Sequence, residues 1–321
     1  MTSIPLISVC IVTYNHQAYI ADCLNSVLAQ YGDFRLEVLL GDDTSNDNTV
    51  NIIQRITDQY RGNINIHLFA HEKNLGPSQN YQFLIEKAQG DFIAHLDGDD
   101  FWLPGKLQTQ LQFLHNNPDC PACYTNAVVI RDDKSHWGFF NTATTKQRIS
   151  TAMLLKNGNF LNHSSLLYRV KNKDDILSFP ENFIDYRIHL QLSLNGELGY
   201  INQVLVAYRV NSSTSQLIKM KNSVLLMYID ALISVKENVS TKLFQEAILS
   251  FYRSYYINIK VNYNKETIRS IKNTLEKYYP LNLPNIFIKI LPYTITSEIN
   301  NFLYKKISGS QPRFLQRNNI G

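Results

Sequence analysis

The stretch GDFIAHLDGDDFW, Gly90 to Trp102, decides how the rest of the chain is read. A short, mostly apolar run ends on three carboxylates within four positions, Asp97, Asp99 and Asp100, and two aromatics follow at once. Such a run, bounded by turn residues, predicts a buried strand. Neighbouring carboxylates repel one another and are costly to desolvate, so crowding them at a strand end requires water, donors or a cation to offset the cost. Gly98 is expected to permit the tight turn that points them inward. Oxygen ligands of this kind suit Mg²⁺ or Mn²⁺ shared with substrate phosphates. Taken alone, the triplet fits a solvated turn or a helix cap as well.

Working outward, the same rhythm repeats. ISVCIVT (7–13), LEVLL (36–40), INIHLF (64–69) and FIAHL (92–96) read as strands separated by about 10 to 18 residues of helical character. That alternation predicts a doubly wound α/β domain with a mostly parallel sheet. Ligands of such sheets lie beyond the carboxyl ends of the strands, and each run here is followed by a polar cluster: TYNH, GDDTSND, AHEKNLG and DGDD. A helix is expected from about Pro104 to Pro118, then a strand ACYTNAVVI (122–130). Arg131 to Asn162 reads as one long polar loop, a partly ordered flap, before SSLLYR (164–169), a helix over Asp185–Asn195 and a strand over 198–210.

Composition is that of a globular protein, with 321 residues, 44% hydrophobic and 18% charged. The formal charge of +4 hides an asymmetry: up to Gln216 there are 16 Lys and Arg against 21 Asp and Glu, a net −5, and beyond it 15 against 6, a net +9. An acidic body therefore precedes a basic tail. Cys10, Cys23, Cys120 and Cys123 make no disulfide framework, and the CxxC at 120–123 lacks a second pair or a nearby His for zinc, so reduced structural thiols are expected. No run reaches the ~18 apolar residues of a membrane span and the first residues lack a basic leader, which makes the cytoplasm, up to the inner face of the membrane, the expected compartment.

In GDDTSNDNT (41–49), Asp47 is placed to cap the following helix, whereas Asp42 and Asp43 precede it and could accept from a base N–H or a ribose hydroxyl. With this second cluster the chain resembles an inverting family 2 glycosyltransferase of the GT-A fold, the type that builds bacterial surface polysaccharides. SVCIVTYNHQAYIADCLNSVLAQ (8–30), LLGDDTSNDNT (39–49), KNLGPSQNYQFLIEKAQGDFIAHLDGDDFWLPGKLQTQ (73–110) and YINQVLVAYRVNSSTS (200–215) carry the resemblance, in one order across residues 8 to 216.

The resemblance implies a nucleotide-sugar donor, foremost a UDP-sugar, and a divalent cation, Mn²⁺ or Mg²⁺. It implies that Thr13, Tyr14 and Asn15 lie beside the nucleotide, that Asp43 binds its base or ribose, that Asp97 approaches the ribose and that Asp99 coordinates the metal. Asp100 is expected to bind through water or to orient the sugar. Lys73 is either a donor contact or a surface lysine, and Arg209 either reaches the diphosphate or makes a structural ion pair. His163 either lines the acceptor side or is a structural histidine. Inverting transfer needs a general base. The resemblance implies Asp185 for that role; Ile184 stands where the family often has an acidic residue, and Glu181 is the alternative. Trp102 and Phe101 are expected to pack under the turn.

The expected organisation is a GT-A domain over 1–216, with a donor half to about 130 and an acceptor half over 131–216, followed by a helical, basic region over 217–321. That last region either lies against an anionic membrane, where lipid-linked acceptors reside, or packs on the core or on a second subunit. The expected partners are the donor and a glycan or lipid-linked acceptor, with no nucleic acid. Two rivals remain at this level. A sugar nucleotidyltransferase would carry a glycine-rich phosphate loop after its first strand, which TYNHQAYI is not. Against a non-catalytic glycan- or nucleotide-binding protein on the same fold stands the presence of Asp97, Asp99 and Asp185 together.

Overall fold

The computed structural model describes residues 4–141, 146–210, 221–262 and 265–278. Four parallel strands open the chain, β1 (Leu6–Thr13), β2 (Arg35–Asp42), β3 (Asn65–Ala70) and β4 (Phe92–Asp97), joined by α1 (Ile20–Leu28), α2 (Thr49–Gln59) and α3 (Pro77–Lys87). Helices cover both faces, so β1 is apolar almost throughout instead of alternating. In α1 the buried residues are Ile20, Cys23, Leu24 and Val27, one stripe at helical spacing. Pro77 starts α3, and Gly76 before it has φ +82°, a backbone that a side chain disfavours.

The sheet continues through β9 (Leu167–Arg169), β6 (Ala122–Ile130) and β10 (Leu198–Arg209) to the short β5 (Phe101–Trp102), in the order β3-β2-β1-β4-β9-β6-β10-β5. The long pairings are parallel, and β9 and the short strands run antiparallel. The architecture is that of the mixed α/β, GT-A type expected from the strand rhythm.

One expectation is corrected. The segment Arg131–Asn162 is not a single polar loop: it forms β7 (His136–Phe139), β8 (Arg148–Ile149) and α5 (Thr151–Asn157). β9 pairs with β6 at residues 122 and 123, and β7 takes the other end of β6, at 128–130. The strand, HWGF, carries two aromatics inside the polar segment and pairs along the end of β6 that β9 leaves free. Ser150 caps α5 by accepting from Met153 N at 3.3 Å, and Gly158, at φ +77°, follows its last turn.

Next come α6 (Lys173–Leu177) and α7 (Asp185–Leu194), then three helices of the basic region: α8 (Lys221–Ser234), α9 (Thr241–Asn262) and α10 (Lys265–Glu276). Leu225, Ile229 and Leu232 of α8, Phe244 and Ile248 of α9, and Ile271 and Leu275 of α10 join the core that holds Tyr124 and Tyr186. α8 packs against α7, and α9 against α5. Residues 279–321 lie outside the described residues, so the membrane-contact expectation for the basic region is untouched there. Among the described residues no helix is long and apolar enough to cross a membrane. All four cysteines are buried free thiols.

α4 (Lys106–Asn116) begins with a lysine that has no access to water. Lys106 Nζ donates to Gln110 Oε1 at 2.6 Å and sits 4.0 Å above the centre of the Trp102 ring. Burial pushes its pKa down to about 7. A depressed lysine binds fewer protons folded than unfolded between that value and its ordinary one, so the penalty is fully present below pH 7 and relieved as pH rises toward 10. We expect the stability of the wild type relative to Lys106→Met, read by urea unfolding, to increase from pH 7 to pH 10. A constant difference across that range would refute the assignment.

Candidate active site

Register brings the polar clusters together. Thr13 lies opposite Asp42 and Val12 opposite Asp97, so the ends of β1, β2 and β4 share one rim. Two backbone bonds extend the alignment past the strands: Asp43 N donates to Thr13 O and Gly98 N to Val12 O, each at 2.9 Å. Gly98 does not take a left-handed backbone; its value is space. A Cβ there would sit 2.6 Å from His16 Nδ1 and 2.9 Å from Thr13 Cβ.

The side of the rim formed by β1 and β2 is stitched from its own loops. Asn15, held at φ +56°, donates its backbone N–H to Ser45 Oγ at 2.8 Å and accepts from Asn46 N through Oδ1 at 2.9 Å. Thr13 is buried, its hydroxyl 3.2 Å from His16 Nδ1, and Tyr14 is half-buried beside it. Asp43 is 1% exposed and accepts from Leu75 N at 2.6 Å and Gly76 N at 2.9 Å, while its carbonyl accepts from Asn74 Nδ2. It therefore fastens the loop that carries Lys73, which is exposed. Asp42 is also buried and closes its own turn through Ser45. Asp47 accepts from Thr49 N at 2.9 Å, but the cap position itself is taken by Asn48, one residue later than expected.

The three carboxylates of the DGDD turn have separated tasks. Asp97 keeps 39% of its side chain exposed and bonds His95 Nε2 at 3.1 Å. Burial pushes its carboxyl up, but His95 and the Ser164 hydroxyl outweigh that and hold it below the ordinary range. Asp99 is partly exposed on the rim. Asp100, expected to bind through water or to orient the sugar, faces the interior instead: it is 1% exposed and accepts from Ser164 Oγ at 2.6 Å and from Arg209 N at 2.8 Å. Burial and the neighbouring Asp99 and Asp97 push its pKa well up.

Of the two expectations for Arg209, the reach to the diphosphate is corrected. Its side chain is 1% exposed and does not reach over the rim. Nε donates to Asp99 O at 2.9 Å, Nη1 to Arg131 O at 3.2 Å, and the guanidinium lies 4.6 Å from the Tyr19 ring and 3.9 Å from Asp22. The structural role is the one it has. Trp102 is buried beneath the turn, donating Nε1–H to Ser164 O at 2.8 Å.

Across from the acidic turn, Asp185 opens α7. Its Oδ1 accepts from Asn159 Nδ2 at 2.9 Å and from Tyr186 N at 2.8 Å. Burial is the main cause that pushes its pKa up to about 6, with Asn159 and Tyr186 N pulling the other way. Glu181 is exposed on the loop before α7. His163, half-buried, sits between the two sides: its ring centre is 4.0 Å from that of His95, and Nδ1 is 3.2 Å from His189 Nε2. Burial, His95 and His189 push the His163 pKa well down, so the imidazole is neutral.

Ser164, Asn159 and His189 were invisible to motif reading. They lie in separate segments, and only the fold sets them against Asp97, Asp100 and Asp185. Among the described residues no group of three His, Cys, Asp or Glu forms a metal cage. Asp99, a hard oxygen donor on an open rim, suits a cation that completes its shell with phosphates and water.

The chain matches the glycosyl transferase family 2 model over residues 8–175, more than half of its length. It is 35% identical over 130 residues to a putative teichuronic acid biosynthesis glycosyltransferase of Bacillus subtilis, covering 40% of this chain and 49% of that protein. It spans 58% of the length of Mycobacterium tuberculosis relatives that are 30% identical over 209 residues. Among solved structures, Staphylococcus aureus TarS in complex with UDP-GlcNAc superposes with a TM-score of 0.64 at 16% identity, over 85% of this chain and 80% of that one. The mannosyltransferase PcManGT of Pyrobaculum calidifontis, in complex with GDP-Man and Mn²⁺, gives 0.57 at 14% identity, over 94% and 88%. These structures share the sheet and its helical cover, and the family match runs from β1 through the acidic turn into α6: the chain belongs to glycosyltransferase family 2.

Proposed function

We propose that the protein transfers a sugar from a nucleoside diphosphate sugar to a hydroxyl of a glycan or lipid-linked acceptor with inversion, in the assembly of a surface polysaccharide. The observation that carries this is the opposition of two kinds of carboxylate. Asp97 and Asp99 stand on an open rim, and Asp185, anchored by one oxygen, bears a pKa near neutrality on the other side.

In this reading the donor lies over Thr13, Tyr14, Asn15 and the loop that Asp43 holds, with Lys73 near its phosphates and Asp97 toward the ribose. Asp185 Oδ2 takes the proton of the acceptor hydroxyl as that oxygen attacks the anomeric carbon, and the nucleoside diphosphate leaves from the opposite face. When bound by Asp99, Mg²⁺ or Mn²⁺ supplies Lewis-acid neutralisation of the departing diphosphate. Complexes of TarS with UDP-GlcNAc and of PcManGT with GDP-Man and Mn²⁺ support a nucleotide-sugar donor and a divalent metal. The teichuronic acid relative supports a surface polysaccharide. The net charge of +9 after Gln216 supports peripheral contact with an anionic membrane on the cytoplasmic side.

Calorimetry with UDP and GDP, with and without Mn²⁺, tests the donor side: Asp99→Ala is expected to abolish the metal-dependent part of binding and to keep the melting temperature, since it removes a rim side chain. Metal-dependent affinity that survives in the variant sinks the assignment.

For the acceptor side, Asp185→Asn preserves size and removes the base. Transfer is expected to fall by about 10² to 10⁴ in kcat with donor KM nearly unchanged. The wild-type rate should rise with pH along a limb near 6, where Asp185 loses its proton. Normal turnover in Asp185→Asn together with loss in Glu181→Gln moves the role to Glu181.

A further inference from the structure

Asp185 is held by a chain of side chains whose hydrogens all point toward it. A carboxylate only accepts, so Asn159 must present its amide nitrogen to Asp185 Oδ1, at 2.9 Å, and its amide oxygen to His189 Nδ1, at 3.0 Å. His189 Nδ1 therefore carries hydrogen. His189 is fully buried, and burial with the nearby His95 pushes its pKa down to about 3, which keeps the ring neutral. A neutral ring with hydrogen on Nδ1 has a lone pair on Nε2, and that nitrogen accepts from His163 Nδ1 at 3.2 Å. From the other side, the Asn159 backbone N–H donates to the Tyr228 hydroxyl at 3.2 Å, and the Tyr228 ring stacks 4.5 Å from Tyr186, the residue after Asp185.

We infer that Asn159 is the positioning residue of the acceptor-side carboxylate, set by the ordered chain His163–His189–Asn159–Asp185 and braced by Tyr228 of α8. The inference rests on Asp185 being the base. Each donor polarises the next, and the last bond stabilises the charged form of Asp185 against the burial that disfavours it. The same bond fixes Oδ1, leaving Oδ2 to meet the acceptor. The other ionisable groups around Asp185 are Asp97 and His95 on β4, Tyr124 on β6 and Tyr208 on β10. Their charges act at a distance. Asn159 acts through contact, so the two influences can be separated.

It also gives α8 a reason to pack where it does. Tyr228 reaches Asn159 from the basic region, so that region takes part in building the acceptor side.

The test is the titration of Asp185 in the full chain by carbon NMR with ¹³C-labelled aspartate, the signal being assigned by its loss in Asp185→Asn. Asn159→Ala is expected to raise the midpoint by about one pH unit, the scale of one hydrogen bond to a charged group. His189→Leu, which leaves Asn159 without its donor, should move it the same way by less. His189→Asn, whose amide nitrogen falls near the place of Nδ1, should restore the wild-type value. With UDP-GlcNAc and Mn²⁺, hydrolysis should show the acid limb of kcat shifted upward in Asn159→Ala at unchanged donor KM.

A wild-type midpoint in both Asn159→Ala and His189→Leu overturns the inference. So does a His189→Asn variant that behaves like His189→Leu. Should Asn159→Ala fail to fold, the two His189 variants decide between these outcomes by themselves. Full hydrolysis by Asp185→Asn would instead overturn the base reading, and the titration results would still say whether Asn159 governs that carboxyl.

Discussion

A carboxylate without access to water ties the domain together. Asp100 leaves the end of β4, accepts from Ser164 in the segment before β9 and from the backbone of Arg209 at the end of β10, and so joins three elements far apart in sequence. A buried carboxylate is stable only when its oxygens are hydrogen-bonded, and here both are. The arrangement leaves Asp97 and Asp99, three and one residues earlier, turned toward solvent. One inward carboxylate therefore sets the attitude of two outward ones. Arg209 completes the lock by holding the Asp99 and Arg131 carbonyls from behind, which is why so long a side chain next to the rim stays out of it.

The rest of the rim follows from parallel pairing. A parallel sheet puts all of its carboxyl ends at one edge, and the register of β1 with β2 and β4 brings Thr13, Asp42 and Asp97 level. Loops at such an edge would be loose if left to themselves. Here they are pinned to one another: Asn15 to the Ser45–Asn46 turn, Asp43 to the Leu75–Gly76 backbone, and His16 N to Thr49. Pre-organisation of this kind lowers the ordering cost of binding a flexible, charged ligand.

The half of the site around Asp185 is built by a different principle. Its polar residues satisfy one another, around the buried His189: His163 bonds His189, His189 bonds Asn159, and Asn159 bonds Tyr228 and Asp185. The apolar surround is what raises the pKa of Asp185 into a useful range, and the helices of the basic region supply part of that surround. Packing of α8, α9 and α10 on this half thus bears on the chemistry of the site as well as on stability.

Local patterns were enough to read β1 to β4, their intervening helices, the acidic turn and the position of Asp185 at a helix start, because period, turn residues and short motifs act over a few neighbours. The same reading missed the folding of Arg131–Asn162, since β7 forms to cover an exposed stretch of β6, and it misjudged Asp100 and Arg209, whose surroundings come from strands about 110 residues away. Charge and residue type announced that carboxylates would gather. Which of them faces water, which is buried as a tie, and which residues hold Asp185 were decided by burial and by long-range hydrogen bonding, quantities that exist only once the sheet has closed.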